Sequence, residues 1–247
     1  MTTETPGDGG ATIGITVQPD HPVFGVVCDR LTARGHDVRF FDSNAPIPAD
    51  DLRDLSLFVV KHTRPESIRA LLAAERLGVP TWNSATGVQA CATRFSQLCS
   101  LSGVGFTVPS ASREKPAGDY VSKRLYHWES APEVNGEGDC YEELLDAEPV
   151  DYKYYVVDDG ETHHPVVLRA TSKLWGEKQV LGETTPHSEH VERIVSLMDA
   201  LGMRGLGVDL VRVDDDWYAV DLNPCPGFAE TGLEDALVAS IESALDR

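Results

Sequence analysis

Residues 207–228 predict a β-hairpin that limits how the rest of the chain can be arranged. Each arm alternates β-branched or aromatic residues with other types, and the acidic run between the arms has turn chemistry. If three residues form the loop, Val213 faces Trp217, and counting back along both arms then sets Asp209 opposite Asp221. Two carboxylates that face each other across a hairpin repel, so this pairing needs a physical reason.

A bound cation would supply that reason. Asn223 lies on the same face as Asp221, because the side-chain period of a strand is two. Two carboxylates and an amide oxygen form a ligand set suited to a hard divalent cation such as Mg²⁺. The sequence therefore predicts a metal site of Asp209, Asp221 and Asn223, with an acidic hairpin without a ligand as the alternative.

The first third of the chain alternates short apolar strands with helices. Such alternation indicates an α/β lobe around a parallel sheet. The basic loop 61–64 follows a buried strand, at the edge where open α/β sheets bind ligands. The predicted strands are 13–17, 37–41, 55–60 and 79–82, and the predicted helices are 23–34 and 65–77.

The remaining chain predicts a helix, several strands and two polar loops before and after the hairpin. Helices are predicted at 84–101, 185–201 and 234–245, strands at 121–126, 140–145, 152–157 and 166–170, and loops at 129–139 and 171–184. Composition and these elements divide the chain into a disordered tail (1–10), an N-terminal lobe (11–83), a helical connector (84–117), a central lobe (118–157) and a C-terminal lobe (158–247).

Charge limits the partners. The formal net charge of the 247-residue chain is −19, which disfavours nucleic acid and anionic membranes. The acidic excess is spread along the chain and lysine is scarce, which we interpret as adaptation to high salt; a surface for a basic partner is the alternative. The five cysteines lack metal-ligand spacing, and no apolar run reaches the length of a membrane span. We therefore expect a cytoplasmic protein.

Three stretches, in this order, resemble the ATP-grasp superfamily. Residues 120–123 (Tyr-Val-Ser-Lys) are similar to the strand whose lysine holds ATP phosphates, and residues 141–157 resemble the hinge and the strand after it. The hairpin, with its Asp-Leu-Asn-Pro-Cys-Pro-Gly run at 221–227, looks like the metal-binding segment of that family. The resemblance covers roughly residues 80–228.

The resemblance implies an α/β fold built of α+β lobes, with a short N-terminal parallel α/β lobe and two C-terminal lobes that sandwich the nucleotide. It implies ATP as cofactor with Mg²⁺, or Mn²⁺ in its place, held by the hairpin. It assigns adenine and ribose recognition to the hinge and phosphate or substrate contacts to basic side chains. The residues so implied are Glu142, Glu143 and Leu144 for the hinge, Arg94 and Lys123 for the phosphates, and Lys153 and Arg169 as the positively charged catalytic residues.

The chain departs from the family pattern in three places, of which one is the short length of its first lobe. Arg94 stands where a lysine contacts the α-phosphate, and its planar guanidinium differs from lysine in reach and geometry. The glycine-rich loop that covers the phosphates has only the counterpart 135–138, which contains an acid.

The activity implied is that of a carboxylate–amine ligase, nearest to the ribosomal-protein glutamate ligases. ATP would activate a carboxylate as an acylphosphate, which an amine attacks to form an amide, with ADP and phosphate released. The substrates would be small-molecule or peptide acids and amines, with no nucleic acid and no membrane. The alternatives are an ATP-dependent kinase of a small polyol or inositol phosphate, and a nucleotide-binding regulator without turnover.

Overall fold

A computed structural model describes residues 10–126 and 131–246. The predicted disordered tail therefore lies outside the described residues, except for Gly10. Three hydrogen-bonded sheets organise the described chain, which we call the N-terminal, central and C-terminal sheets. Within these ranges no helix combines the length and apolar character needed to cross a membrane.

The N-terminal sheet is parallel, as predicted, with strand order β2-β1-β3-β4. Strands β1 and β3 at its centre are buried by helices, whereas β2 at its edge is largely exposed. The elements are β1 (Thr12–Ile15), α1 (Phe24–Ala33), β2 (Asp37–Phe40), α2 (Ala49–Arg53), β3 (Leu57–Val59), α3 (Pro65–Arg76) and β4 (Thr81–Trp82).

The single helix predicted at 84–101 is wrong: α4 (Ala85–Ala90) and α5 (Arg94–Gly103) are separate helices. Thr93 between them is extended, and its hydroxyl accepts from the Ser96 amide while the Ser96 hydroxyl accepts from the Thr93 amide. This reciprocal capping box satisfies two backbone donors and starts a new helix. Arg94 thereby becomes the first residue of α5.

The central sheet is antiparallel, with strand order β5-β8-β6-β7. Its strand β7 lies inside the segment predicted to be a polar loop, so that prediction is corrected. Gly138 packs against β6, where a Cβ atom would lie 2.6 Å from the carbonyl oxygen of Lys123. The strands are β5 (Ala111–Ser112), β6 (Tyr120–Lys123), β7 (Glu133–Val134) and β8 (Cys140–Glu143).

The C-terminal sheet is antiparallel, with strand order β11-β10-β9-β12-β13. Strand β11 corrects the prediction of a loop over 171–184, and β9, assigned by sequence to the central lobe, is the middle strand here. The elements are β9 (Val150–Asp158), β10 (His163–Thr171), β11 (Val180–Thr184), α6 (Ser188–Leu201), β12 (Gly205–Val213), β13 (Asp216–Asn223) and α7 (Glu234–Leu245).

Helix α6 covers one face of the C-terminal sheet. Ile194, Leu197 and Met198 of α6 are buried in one cluster with Tyr154 and Val156 of β9. Burial of each large apolar side chain contributes roughly 1.5–3 kcal/mol. Because side chains alternate along a strand, Lys153 and Tyr155 point to the opposite face, where Tyr155 packs against the core cluster of α1 and α7.

Asn83 connects the N-terminal sheet to the hairpin. Its side-chain oxygen accepts from the amides of Arg204 (2.6 Å) and Gly205 (3.0 Å). Its side-chain nitrogen donates to the carbonyls of Gly205 (2.8 Å) and Pro224 (2.7 Å). The residue is fully buried and has a left-handed backbone (φ 64°), which asparagine tolerates better than most residues.

We expect Asn83→Ala to lower the free energy of unfolding by roughly 3–5 kcal/mol, because it leaves several buried backbone groups without partners. Chemical denaturation measures this change. The exposed Asn44 offers a matched control, and Asn44→Ala should change stability by no more than about 0.5 kcal/mol. Equal denaturation midpoints for the two variants would contradict the role assigned to Asn83.

Candidate active site

The hairpin of β12 and β13 sets Asp209 opposite Asp221, which confirms the predicted pairing. The predicted three-residue loop is wrong, because Val213 pairs with Asp216 across a two-residue turn. A β-bulge compensates: Val220 is an extra residue on β13 between the paired positions. The shorter turn and the bulge shift the register in opposite directions, so the carboxylates still face each other.

The bulge also leaves a carbonyl outside the strand ladder. The carbonyl oxygen of Val220 accepts a hydrogen bond from Nζ of Lys123, at 2.8 Å. The same Nζ forms an ion pair with Oε2 of Glu142, at 2.7 Å, and both side chains are more than nine-tenths buried. Lys123 therefore joins the central sheet to the hairpin of β12 and β13.

Basic side chains contact both hairpin carboxylates. Arg94 pairs with Asp221, and Lys153 pairs with Asp209 and, at 3.6 Å, with Asp151. Burial alone would lower the pKa of Lys153, but the two neighbouring carboxylates outweigh it and raise that pKa. Burial raises the pKa of Asp151, an effect that Lys153 opposes. The basic groups hold the acids in a charged network that is only partly exposed.

A cavity of about 480 Å³ lies between the central and C-terminal sheets and contains this network. Every site residue predicted from the sequence lines the cavity, except Arg169. The lining predicted residues are Arg94, Lys123, Glu142, Glu143, Leu144, Lys153, Asp209, Asp221 and Asn223. Residues from distant parts of the chain thus converge on one cavity.

Arg169 lies on the other face of the C-terminal sheet. Leu168 is the residue opposite Lys153 on β9, whereas Arg169 is opposite Tyr152. Directly paired residues share a face, so Arg169 points away from Lys153 and the cavity, and it is exposed. The run of β-branched residues in β10 could not reveal which of its two faces carries the site.

The two predicted hinge acids have different surroundings. Glu143 is exposed and accepts from the amide (3.0 Å) and hydroxyl (2.7 Å) of Ser110, and these hydrogen bonds lower its pKa. Glu142 is 3% exposed, and its Oε1 has no hydrogen-bond partner among the described residues. A buried carboxylate oxygen without a partner is costly, and of the two acids only Glu142 has such an oxygen among the described residues.

The segment between β10 and β11, within the predicted loop 171–184, supplies cavity residues that are not among the site residues predicted from the sequence. Ser172, Lys173, Leu174 and Trp175 line the cavity. Lys178 lies close enough to Lys153 and Asp209 to interact with their charges, although burial is the largest effect that lowers its pKa. A usable signal was present: in a lysine-poor chain, two of the lysines fall in this one segment.

The glycine-containing loop 135–138 does not line the cavity; Ala131 and Pro132, just before it, do. Its acid, Glu137, is exposed and pairs with Lys115. Asn135 accepts from the amide of Tyr120 at 3.0 Å, which attaches the loop to β6. The loop therefore supports β6 rather than contributing an acid to the cavity.

The charge of the cavity bears on its ligands. Six carboxylates and four basic side chains line it: Glu142, Glu143, Glu148, Asp151, Asp209 and Asp221 against Arg94, Lys123, Lys153 and Lys173. A polyanion alone would therefore be repelled unless cations accompany it. A carboxylate has several lone pairs, so an ion pair does not exhaust what Asp209 and Asp221 can accept.

Asp209, Asp221 and Asn223 fit a hard cation that takes the rest of its oxygen ligands from a bound molecule. Within the described part of the chain, no three His, Cys, Asp or Glu side chains converge on a metal position. An ion on Asp209 and Asp221 would need further oxygens, such as those of phosphate. Asn223 lines the same cavity, and its Oδ1 also accepts from the amide of Cys225 at 2.9 Å, which fixes its orientation.

Comparison with known proteins identifies the fold. No protein-family profile matches the chain, and no curated protein matches it. Several solved structures do match it.

The ATP-grasp ligase PsnB, complexed with a minimal precursor, is 17% identical, covers 95% of this chain and 99% of its own, and gives a TM-score of 0.68. The L-amino acid ligase from Bacillus licheniformis is 15% identical over 97% of this chain and 75% of its own, with a TM-score of 0.72. The macrocyclase MdnC from Microcystis aeruginosa MRC, bound with precursor peptide MdnA, is 11% identical over 93% and 98%, with a TM-score of 0.65. The chain has the ATP-grasp fold.

Proposed function

We propose that this ATP-grasp chain is an ATP- and Mg²⁺-dependent ligase that joins a carboxylate to an amine. The observation that carries the proposal is the convergence of Lys123, Arg94 and Lys153 with the hairpin carboxylates in one cavity. Its volume of about 480 Å³ is within the range of small-molecule and cofactor sites. PsnB, which has the same fold, has been solved with Mg and ADP.

The adenine end of ATP would lie against the hinge. The unpartnered Oε1 of Glu142 is an acceptor in the cavity wall, suited to the exocyclic amino group of adenine. Val121, Leu144 and Leu145 add apolar surface for the flat base. Glu143, already engaged by Ser110, is the weaker candidate of the two acids.

The phosphate end would lie against the hairpin. Asp209, Asp221 and Asn223 would hold Mg²⁺, which neutralises phosphate charge when bound. Lys123, Arg94 and Lys153 offset the remaining negative charge, and Lys178 is close enough to contribute. We leave Arg169 out of this group, because it lies on the opposite face of the sheet.

The reaction has two steps. An oxygen of the acid substrate attacks the terminal phosphorus of ATP, and ADP leaves with the electrons of the broken P–O bond. The amine then attacks the acyl carbon, phosphate leaves, and the amine loses a proton as the amide forms. Catalysis in the first step is mostly positioning and charge neutralisation, for which the buried lysine and arginine side chains of this cavity are suited.

Cytoplasmic location and adaptation to high salt are parts of this proposal that rest on composition alone. The excess of 40 acidic over 21 basic residues and the scattered cysteines support them.

An ADP-release screen over acids paired with amines tests the activity. We expect ADP and free phosphate in equal amounts, and only when an acid and an amine are both present. Phosphorylated product without free phosphate would identify a kinase instead, although six carboxylates in the cavity oppose a highly phosphorylated substrate. ATP binding without ADP release over the whole panel would identify a non-catalytic regulator.

A further inference from the structure

A cluster of basic side chains lies at the N-terminal sheet although the chain is strongly acidic. It lies outside the carboxyl ends of β1 and β3, which are neighbours in the sheet. From β1 the chain proceeds to β2 on one side, whereas β3 lies on the other side. In open α/β sheets such a switch point forms a crevice that binds ligands.

Four basic side chains surround this crevice: His21 before α1, and Lys61, His62 and Arg64 after β3. His62 interacts with the charges of Lys61 and Arg64, and His21 interacts with those of Lys61 and His62. Burial first, and then the neighbouring positive charges, lower the pKa of both histidines. The negative charge of Asp20 raises the pKa of His21, but burial and the neighbouring positive charges lower it more. An anion would stabilise such a cluster.

Existing hydrogen bonds define the donors of the crevice. Nδ1 of His21 accepts from the amides of Val23 (3.2 Å) and Phe24 (3.1 Å), so the ring proton resides on Nε2. Nδ1 of His62 lies 3.1 Å from the carbonyl oxygen of Thr16 and must donate to it, so Nε2 of His62 donates to an anion only when the ring is protonated, a state that a bound carboxylate favours. The neutral His21 ring therefore offers an N–H donor.

Thr63 adds a hydroxyl group without a partner. Thr63 is 4% exposed. Its Oγ1 lies beside the Cys225 thiol but forms no hydrogen bond of ordinary geometry with any described residue. The following helix, α3, begins without a side-chain cap, so its first amides add partial positive charge. A buried hydroxyl in a basic crevice at a helix start is a donor that lacks its acceptor.

This crevice adjoins the proposed metal site through Cys225. Nζ of Lys61 donates to the carbonyl oxygen of Cys225 at 2.9 Å. The amide of the same residue donates to Asn223, the last of the three proposed metal ligands. A substrate with one end in the basic crevice can therefore extend past this turn towards the phosphates.

We propose that the crevice of His21, Lys61, His62 and Thr63 binds a second carboxylate of the acid substrate, one that does not react. This inference rests on the proposed ligase function and names its substrate class: acids that carry two carboxyl groups, as free dicarboxylates or as peptides with an acidic end. The reacting carboxyl group lies at the phosphates while the other is held by the basic crevice.

Calorimetric titration of the full chain, in low-chloride buffer with Mg²⁺ and a non-hydrolysable ATP analogue, tests the inference. The probes are the α,ω-dicarboxylates from malonate to adipate, each against the monocarboxylate of equal length. We expect the best diacid to bind about tenfold more tightly than its monoacid, the effect of one charge-assisted hydrogen-bonded contact. If no diacid binds better than its monoacid, the proposal is overturned.

Two variants test the residues. Thr63→Val has the same shape and removes a hydroxyl that has no partner, so it should leave the unfolding midpoint unchanged or higher while the diacid preference falls several-fold. His62→Asn keeps an N–H for Thr16 and should also reduce the preference. Arg53→Gln, on the exposed α2, removes one positive charge elsewhere in the same lobe and should leave the preference intact. An unchanged preference in both crevice variants would overturn the assignment.

The same preparations separate this inference from the ligase proposal. If diacids bind preferentially but no acid–amine pair releases ADP, the crevice stands and the ligase function fails. If ADP is released with monoacids and diacids at equal KM values, the ligase function stands and the crevice assignment fails.

Discussion

Asp221→Asn is expected to lower the rate of ATP-dependent amide formation by at least about 10³-fold, because the proposed metal ligand loses its negative charge. Asparagine keeps the size of the side chain and one oxygen that can still accept from Arg94. The side chain of Asp221 is 37% exposed but that of Arg94 is only 6% exposed, so the loss of the counter-charge should also lower the free energy of unfolding, by roughly 1–3 kcal/mol. The rate is measured by ADP release, with the acid and amine that the screen identifies.

The hairpin supplies its own control for this experiment. Asp216→Asn removes the same charge at the exposed end of β13, away from the cavity, and should retain the activity of the unmodified chain. Raising the Mg²⁺ concentration should partly restore Asp221→Asn if the defect is metal affinity. Activity above about a tenth of the original in Asp221→Asn would refute the assignment of the metal site.

Lys123→Met is expected to weaken ATP binding by about 10- to 100-fold, because the proposed ammonium contact with the phosphates is lost. The same change should lower the free energy of unfolding by about 3 kcal/mol, since it leaves the Glu142 carboxylate buried without its counter-charge. Titration with an ATP analogue and chemical denaturation measure the two effects separately.

A double variant distinguishes the structural effect from the binding effect. Adding Glu142→Gln to Lys123→Met removes the unpaired charge, so stability should largely return while ATP binding remains weak. Lys115→Met, at an exposed pair with Glu137, should alter neither quantity. If the double variant regained both stability and ATP affinity, Lys123 would be a structural residue that does not contact the phosphates.

The ion pairs around the hairpin carboxylates explain how an acidic site is stable before it binds ligands. Lys153 lies between Asp151 and Asp209, and Arg94 contacts Asp221, so neither hairpin acid is left without a counter-charge. If a cation bound to the hairpin carboxylates and phosphates bound to Lys153 and Arg94, ion pairs with the ligand would replace these internal ion pairs. The exchange conserves charge, which limits its cost.

Several features of the site could be predicted because they depend on short-range periodicity. Side chains alternate along a strand, and this alone sets Asp221 and Asn223 on one face. The pairing of Asp209 with Asp221 followed from counting along both arms, yet the count succeeded because a shorter turn and a bulge at Val220 cancelled. The bulge also depends on structure outside the hairpin, because Nζ of Lys123 donates to the Val220 carbonyl oxygen. The hairpin sequence alone does not contain this information.

Other features depended on information that local pattern lacks. Arg169 and Lys153 both lie on apolar strands, but only the strand register shows that they point to opposite faces. The break at Thr93 depends on a reciprocal side-chain cap that apolar periodicity does not report. Glu142 and Glu143 are adjacent in sequence, and only packing against Ser110 and Lys123 distinguishes them.

The sequence by itself determined the elements and their chemistry: the parallel N-terminal strands, the acidic hairpin with its Asp-Leu-Asn run, and the order of basic residues before it. These properties follow from local periodicity and residue type. The tertiary structure decided which side chains share a cavity and which of the two adjacent acids, Glu142 or Glu143, has an oxygen without a partner among the described residues. The reason is physical: burial and charge pairing depend on distances between segments far apart in the chain, and sequence spacing does not determine those distances.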